Sequence, residues 1–197
     1  MTILPLCTFP NIHYVRTLLN ATEVHIDLGE NYVKQSLRNR FELTGPNGRF
    51  ASTLHVQGQG GVKTPFKEVL LNDDDWRRVI VRSIESSYGK AAFFDHYIDD
   101  LKDLFLGTQK TLVEFNKLGL EWVEQSLGLD FSFTFSENYL DAGIEDSDLR
   151  EKMKLKDISS ESMTYPQVFE DRLGFQGNLS VIDLLMNMGP EAQLYLG

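Results

Sequence analysis

Apolar and polar positions in residues 1–71 alternate in short segments that predict strands around one helix. An apolar run at 3–9 predicts a buried first strand. Residues 11–21 repeat apolar side chains at helical spacing after Asn11, a residue type that commonly caps a helix start. Residues 23–28 alternate again, as a half-buried strand does. The three segments predict a compact βαβ unit, with a right-handed crossover if its strands are parallel.

The following part of the chain carries the pattern of a β-hairpin. Residues 40–56 place apolar side chains on alternate positions on both sides of Gly45-Pro46-Asn47-Gly48, a sequence typical of a tight turn. The glycine-rich residues 57–61 predict a flexible loop, and residues 66–71 predict a further strand.

From residue 72 onward the apolar spacing becomes mainly helical. The sequence predicts a helix from a cap at Asn72 or Asp73 to Gly89, helices at 92–105, 109–127 and 178–191, a strand at 131–135, and a charged surface segment with at most one short helix at 137–163. This pattern indicates an α/β fold in which an N-terminal βαβ unit, with a mixed sheet and a hairpin, precedes a mainly helical C-terminal half. We expect a single domain over 1–197, with a strand-rich part at 1–71 and a helical part at 72–197.

Composition restricts the setting in which this fold works. The chain has 19 Lys and Arg against 29 Asp and Glu, a net charge of -10, which argues against nucleic acid as a partner. Its one cysteine, Cys7, excludes a disulfide within the chain and fits a reducing compartment. No apolar run approaches the ~18 residues of a membrane span, and the N-terminus lacks a signal-peptide pattern. We therefore expect a cytoplasmic protein.

Positive charge is concentrated in residues 32–40, YVKQSLRNR, which we call the basic segment. As a strand it would place Lys34, Arg38 and Arg40 on one face. Arginine forks suit ligands with two planar oxygens, and lysine supplies a point charge. The segment therefore predicts a phosphate or carboxylate site, and the alternative is ion pairing with some of the 29 acids.

A second feature favours an anion site near the first helix. No Asp or Glu occurs before Glu23, so the first strand and the start of its helix are free of local negative charge. The amides and the dipole of that helix start suit phosphate. Asn11 lies at this position, and His13 on the first turn can add a donor or a proton, although we favour a half-buried, hydrogen-bonded histidine over a catalytic one.

Other polar residues allow chemistry but have simpler interpretations. His25 and Asp27 share one strand face, which we interpret as exposed and polar rather than as a catalytic or metal-binding pair. Cys7 fits a small core residue. Asp183, between apolar neighbours, either faces solvent or is buried and needs a donor, for which an arginine of the basic segment is one candidate. His55 has no evident partner in the sequence.

Three groups of residues resemble the WbqC-like family, which is found with surface-polysaccharide (O-antigen) gene sets. They are FPNIHY followed by E-x-Y-x-K-Q-x-x-R-N-R at Glu30–Arg40, W-R…I-x-S-x-Y-G…F-F-x-x-Y at Trp76–Tyr97, and Q-x-F…G-F-x-x-N-L-S-x-I-D-L-L-x-N-x-G-P-E at Gln167–Glu191. The resemblance implies transfer of a small acyl or aminoacyl group to a sugar. It includes Glu30 as an acid or base. This chain has Ile80-Val81 where the family pattern often has a His-aromatic pair. If that histidine is catalytic in relatives, we expect this member to be impaired or to use another base.

Two functions from different classes follow. The first is a small transferase acting on an activated or lipid-linked sugar, with Glu30 or His13 as the acid or base. The second is a non-catalytic binding or assembly protein that holds a nucleotide or sugar phosphate. Both need a small anionic ligand and no membrane span. The sequence indicates no metal-binding residues, identifies no cofactor, and leaves the metal requirement and a homo-oligomer open. The predicted ligand-binding residues are Asn11, Tyr32, Lys34, Gln35, Arg38, Asn39 and Arg40.

Overall fold

A computed structural model describes residues 1–58, 63–153 and 163–197. The predicted βαβ unit is confirmed, with strand β1 at Thr2–Pro5, helix α1 at Ile12–Asn20 and strand β2 at Val24–Asp27. The two strands are parallel, with Thr2 opposite Val24 and Pro5 opposite Asp27. Each strand is shorter than its apolar run, because the residues after it leave the sheet while staying buried.

The parallel sheet gains two short strands from the second half of the chain. Strand β5, Thr134–Ser136, pairs with β2, and strand β6, Ser147–Asp148, pairs with β1, so the described order is β5-β2-β1-β6. The segment predicted at 137–163 as a surface excursion thus contributes an edge strand, for which its charged sequence offers no pattern. Residues 154–162 of that prediction lie outside the described part.

The predicted hairpin is confirmed as a separate antiparallel pair. Strand β3 covers Arg40–Gly45 and strand β4 covers Gly48–Thr53, with Gly48 in a left-handed conformation at φ 103°. The strand predicted at 66–71 is wrong. It forms a 3₁₀ helix at Phe66–Glu68, followed by isolated bridges from Leu70 and Leu71, because each of these residues pairs with a different segment.

The helical second half is also confirmed. Helix α2 covers Trp76–Tyr88, α3 covers Phe94–Phe105 and α4 covers Leu112–Leu127. Thr111 and Glu114 form a capping box at the start of α4. The cap predicted at Asn72 or Asp73 is wrong, since α2 begins three residues after Asp73. In the described ranges no helix is both long and apolar enough to cross a membrane.

The C-terminal part packs against the start of the chain. A short helix α5, Glu170–Leu173, precedes helix α6, Val181–Met188, which continues as a 3₁₀ helix over Gly189–Tyr195. Ser180 caps α6 through a side-chain bond from the Ile182 amide. Helix α6 is buried nearly all round, which agrees with its almost wholly apolar sequence.

An aromatic cluster joins the sheet, the hairpin and the long helices. The Phe9 ring lies between β1 and α1 and stacks on Phe105 at 5.2 Å between centroids. It meets Phe41 of β3, Phe115 and Trp122 of α4 edge-on, at 5.2 to 6.1 Å. Offset and edge-on pairs of this kind stabilise a core beyond the apolar area they bury. The cluster therefore fixes the hairpin relative to the parallel sheet.

Candidate functional site

The start of α1 is already filled by other parts of the chain. The Ile12 amide donates to the Leu179 carbonyl at 3.1 Å and the His13 amide to Asn178 Oδ1 at 2.9 Å. The Tyr14 amide donates to Asn11 Oδ1 at 2.9 Å, so Asn11 is the N-cap. Since these first-turn donors all have acceptors, the helix start is not the open phosphate cradle that its acid-free sequence suggests.

The basic segment is a series of turns, and the predicted strand there is wrong. Ser36 Oγ donates to the Val33 carbonyl at 2.7 Å, the Asn39 and Arg40 amides donate to the Ser36 carbonyl, and Gln35 has φ 56°. These local bonds replace a strand ladder. The turns point Lys34 to solvent and Arg38 into the protein instead of placing both on one face.

Arg38 is buried in a two-pronged ion pair with Glu30. Its Nε donates to Glu30 Oε1 at 2.7 Å, and its Nη2 donates to Glu30 Oε2. The two residues are 2% and 4% exposed. Burial raises the pKa of Glu30, against the lowering effect of the guanidinium. The ion-pairing alternative thus describes Arg38, and its partner is Glu30.

A second buried ion pair adjoins the first. Arg150 Nη1 donates to Asp27, and Arg150 Nη2 donates to Asp148 Oδ2 at 2.6 Å. Arg38 Nη2 lies 3.4 Å from the Arg150 carbonyl and connects the two pairs. Asp27 is fully buried, so the expectation of an exposed polar face at His25 and Asp27 is wrong for Asp27. Asp27, Glu30, Arg38, Asp148 and Arg150, here called the charged layer, lie at the carboxyl edge of the parallel sheet.

Cys7 lies under this edge as a core residue. It is buried, its Sγ contacts the Pro5 carbonyl at 3.6 Å, and burial raises the pKa of the thiol far above its ordinary range. The reactive thiolate is therefore disfavoured, in agreement with the packing interpretation. Tyr14 donates to the same carbonyl at 2.8 Å.

Asp183 finds neutral donors rather than an arginine. Tyr88 donates to its Oδ1 at 2.7 Å, while Tyr165 and Gln167 donate to Oδ2 at 2.7 and 2.8 Å. The carboxyl is fully buried, and that burial raises its pKa. The candidate pairing of Asp183 with the basic segment is thus wrong. The network instead ties α2 and residues 165–167 to α6.

An open cleft lies on the solvent side of the basic segment, and we call it the Lys34 cleft. Its volume is about 310 Å³. It brings together four of the residues predicted from the sequence, Tyr32, Lys34, Gln35 and Asn39, with residues 53–58 and Asn72. The site residues Asn11 and Arg38 instead occupy the helix cap and the charged layer, and Arg40 begins β3.

Asn39 and Tyr32 form the inner part of this cleft. Asn39 is 5% exposed, and its Nδ2 donates to the Leu54 carbonyl at 3.3 Å. Among the described residues its Oδ1 has no hydrogen-bond partner although it is buried. Burial raises the pKa of Tyr32 to about 12, so its hydroxyl stays protonated and able to donate at neutral pH. The cleft wall therefore combines a hydroxyl that can donate with the charge of Lys34.

His55 adds an imidazole for which the sequence indicates no partner. Its Nδ1 lies 3.1 Å from Asp74 Oδ2, and the pKa of Asp74 is lowered chiefly by this hydrogen bond. His55 lines both the Lys34 cleft and a neighbouring cleft of about 440 Å³ that also contains Asp74 and Trp76. A pair 19 residues apart across two loops leaves no periodic signal, so sequence reasoning missed it.

These features define an α/β protein with a buried charged layer at the carboxyl edge of its parallel sheet and an open polar cleft beside it. The model of the WbqC-like protein family matches residues 7–153, and the chain belongs to that family. It is 26% identical over 192 residues to the uncharacterized protein Rv1507c of Mycobacterium tuberculosis, with 84% of this chain and 83% of that protein covered. No solved structure matches significantly.

Proposed function

We propose that this protein is a small transferase that binds an anionic ligand in the Lys34 cleft and moves an acyl or aminoacyl group to an activated or lipid-linked sugar. The sugar and the surface-polysaccharide setting are what the family resemblance implies. The observation that carries the binding proposal is the convergence of Tyr32, Lys34, Gln35 and Asn39 on one cleft. Ligand sites typically combine a concave surface with a few convergent polar groups, as this cleft does.

The chemistry of the cleft suits a phosphorylated or carboxylated molecule that also carries hydroxyl groups. Lys34 is exposed and supplies a point charge for the anion. The side-chain amides of Gln35, Asn39, Gln57 and Asn72 can each donate and accept hydrogen bonds. Such groups match vicinal hydroxyls.

Within this proposal the buried ion pair of Glu30 and Arg38 holds the basic segment on the protein side, away from the cleft. Both Glu30 oxygens accept from Arg38, so proton transfer through Glu30 would first have to break a buried ion pair. The acid or base role of Glu30, and that of half-buried His13, remain predictions from the sequence.

The second candidate function is binding or assembly without catalysis. The observation that favours it is the position of Ile80 and Val81, where the family pattern often has a His-aromatic pair. Both side chains are buried on α2, at 4% and 7% exposure, and belong to the apolar core. If the histidine of the family pattern is catalytic, this chain has an apolar core side chain in its place.

Thermal unfolding with nucleotide sugars, nucleotides, coenzyme A and inorganic phosphate tests the proposal. We expect at least one of these ligands to raise the Tm of the wild type and of Lys90→Ala, a matched variant at the exposed end of α2. The same ligand should not raise the Tm of Lys34→Ala, because a ligand stabilises only the state that binds it, by about 2.7 kcal/mol at 100 times Kd. The anion site is contradicted if no phosphorylated ligand stabilises the wild type. Mass-spectrometric turnover with the stabilising ligand then separates a transferase from a binding protein.

A further inference from the structure

We propose that His55, oriented by Asp74, is the general base of the Lys34 cleft. This inference rests on the proposed transferase function and assigns the proton acceptor that the family pattern would have at Ile80-Val81.

The backbone holds His55 in a defined place. The Asn72 amide donates to the His55 carbonyl at 2.8 Å, and the Gln57 amide donates to the Leu70 carbonyl at 2.9 Å. The bridge between Val56 and Leu71 lies between these two bonds. His55 therefore projects from a short paired ladder, which restricts where its imidazole can point.

Asp74 is anchored at both carboxylate oxygens. Its Oδ1 accepts from the Trp76 amide at 3.2 Å, at the start of α2, and its Oδ2 lies 3.1 Å from His55 Nδ1. A carboxylate is an acceptor only, so the proton between them belongs to Nδ1, which leaves the lone pair of neutral imidazole on Nε2. A histidine base oriented by a carboxylate at its other nitrogen is an arrangement that recurs in general-base catalysis.

His55 lies in the same cleft as the proposed ligand-binding residues. The Leu54 amide donates to the Asn39 carbonyl at 2.9 Å, so the residue before His55 is bonded directly to the cleft residue with the unpaired Oδ1. His55 itself is exposed and lines the cleft together with Lys34. A donor whose anionic part lies at Lys34 and an acceptor bound in the same cleft would thus both face the surface that His55 lines.

The proposed step requires an activated acyl donor, either a thioester or an acyl phosphate. The acceptor oxygen or nitrogen attacks the acyl carbon and forms an ester or amide bond. The bond from that carbon to the sulfur or phosphate oxygen of the leaving group breaks. The proton of the acceptor passes to His55 Nε2, and His55 then returns it to the leaving group or to water.

A measurement without substrate tests whether Asp74 fixes the tautomer of His55, and turnover then separates a catalytic base from an ordinary surface ion pair. Nitrogen-15 NMR of the histidine rings should show the neutral His55 protonated at Nδ1. Asp74→Asn should lose this preference. Asp75→Asn, which removes the same charge one residue along where the side chain contacts Arg78, should keep it. A wild-type ring protonated at Nε2, or an unchanged ring in Asp74→Asn, overturns the assignment.

Turnover then tests the catalytic role, with acyl-coenzyme A thioesters as donors and nucleotide-linked hexosamines as acceptors. We expect His55→Gln to lower kcat by roughly 10²- to 10⁴-fold, the usual contribution of a general base, and to keep the ligand-induced rise in Tm. Asp74→Asn should lower kcat less, with KM nearly unchanged. Turnover by His55→Gln at the wild-type rate would contradict the assignment of His55 as the base and would leave the transferase proposal standing. If no donor or acceptor stabilises the wild type, or if none that does is turned over, the transferase proposal fails and the base assignment fails with it.

Discussion

Lys34 and Arg38 are four residues apart in one basic segment, yet they occupy opposite environments. Arg38 is 2% exposed and both its prongs contact Glu30, whereas Lys34 is exposed and lines an open cleft. In the charged layer every named charge has an opposite charge beside it. In the Lys34 cleft a buried acceptor on Asn39 has no partner within the described part of the chain. The charges of the charged layer are satisfied within the protein, whereas the Lys34 ammonium lies on an open cleft where a ligand can reach it.

The largest effect we expect comes from breaking the charged layer. Arg38→Met leaves the Glu30 carboxylate buried without its donors, which costs about 3–5 kcal/mol in the free energy of unfolding. Urea denaturation of the wild type and the variant measures this difference. Lys34→Met is the matched control from the same segment, and as an exposed change it should alter stability by about 0.5 kcal/mol or less.

A double variant shows whether the cost belongs to the unpaired acid. Arg38→Met with Glu30→Leu replaces both charges by apolar side chains of similar size, and much of the lost stability should return. A double variant as unstable as Arg38→Met alone would mean that the arginine acts through packing or through the Arg150 carbonyl instead.

A smaller effect on the free energy of unfolding is expected at Asp183, a buried acid whose hydrogen-bond donors are neutral. Because its folded pKa is raised, the folded state binds the Asp183 proton more tightly than the unfolded chain does. Stability from this group is therefore greatest at low pH and falls as pH rises from about 3.9, the ordinary aspartate pKa, through the raised value.

Asp183→Asn isolates this pH dependence. The amide nitrogen can only donate, whereas both oxygens of the acid can accept, so the donors at one position lose their acceptor and the variant should lose about 1–3 kcal/mol at low pH. As pH rises the wild type should lose stability relative to the variant, and the gap between them should narrow. Urea denaturation at a series of pH values measures the gap. A gap that stays constant with pH would contradict a raised pKa at Asp183.

The smallest stability effect is expected at the exposed pair of the cleft. A double-mutant cycle of His55→Gln and Asp74→Asn should give a coupling of about 0.2–1 kcal/mol, because both side chains are half exposed. The coupling should shrink further in high salt. A coupling as large as that of Arg38 with Glu30 would place His55 and Asp74 among the structural pairs and remove the contrast between the two regions.

Local periodicity predicted most of the fold. The βαβ unit, the hairpin with its turn at Gly45–Gly48 and the three long helices were confirmed, because each repeats its apolar side chains over enough residues to show a period. The prediction of a strand for the basic segment is wrong, because alternation of polar and apolar side chains over nine residues also fits consecutive turns. Short strands such as Ser147–Asp148 carry too few residues for any pattern.

The family motifs include residues that bind parts of the fold together. In the second and third motif groups, Tyr88, Gln167 and Asp183 meet in one buried network. Asn178 in the third group accepts from the start of α1, and Ser180 donates to the Phe9 carbonyl at 3.0 Å. The motif residues therefore identified the family better than they identified the site, since only part of the first group lines the cleft.

The sequence by itself determined the order of the longer helices and strands, the family resemblance, and the segment that lines the cleft. Only the tertiary structure decided which charges of that segment are buried, that Glu30 is the partner of Arg38, and that Asp74 is the partner of His55. The physical reason is that periodicity reports which way a side chain faces within its own helix or strand. The partner of a charge depends on which distant segments pack together, as Tyr88 and Asp183 do across 95 residues.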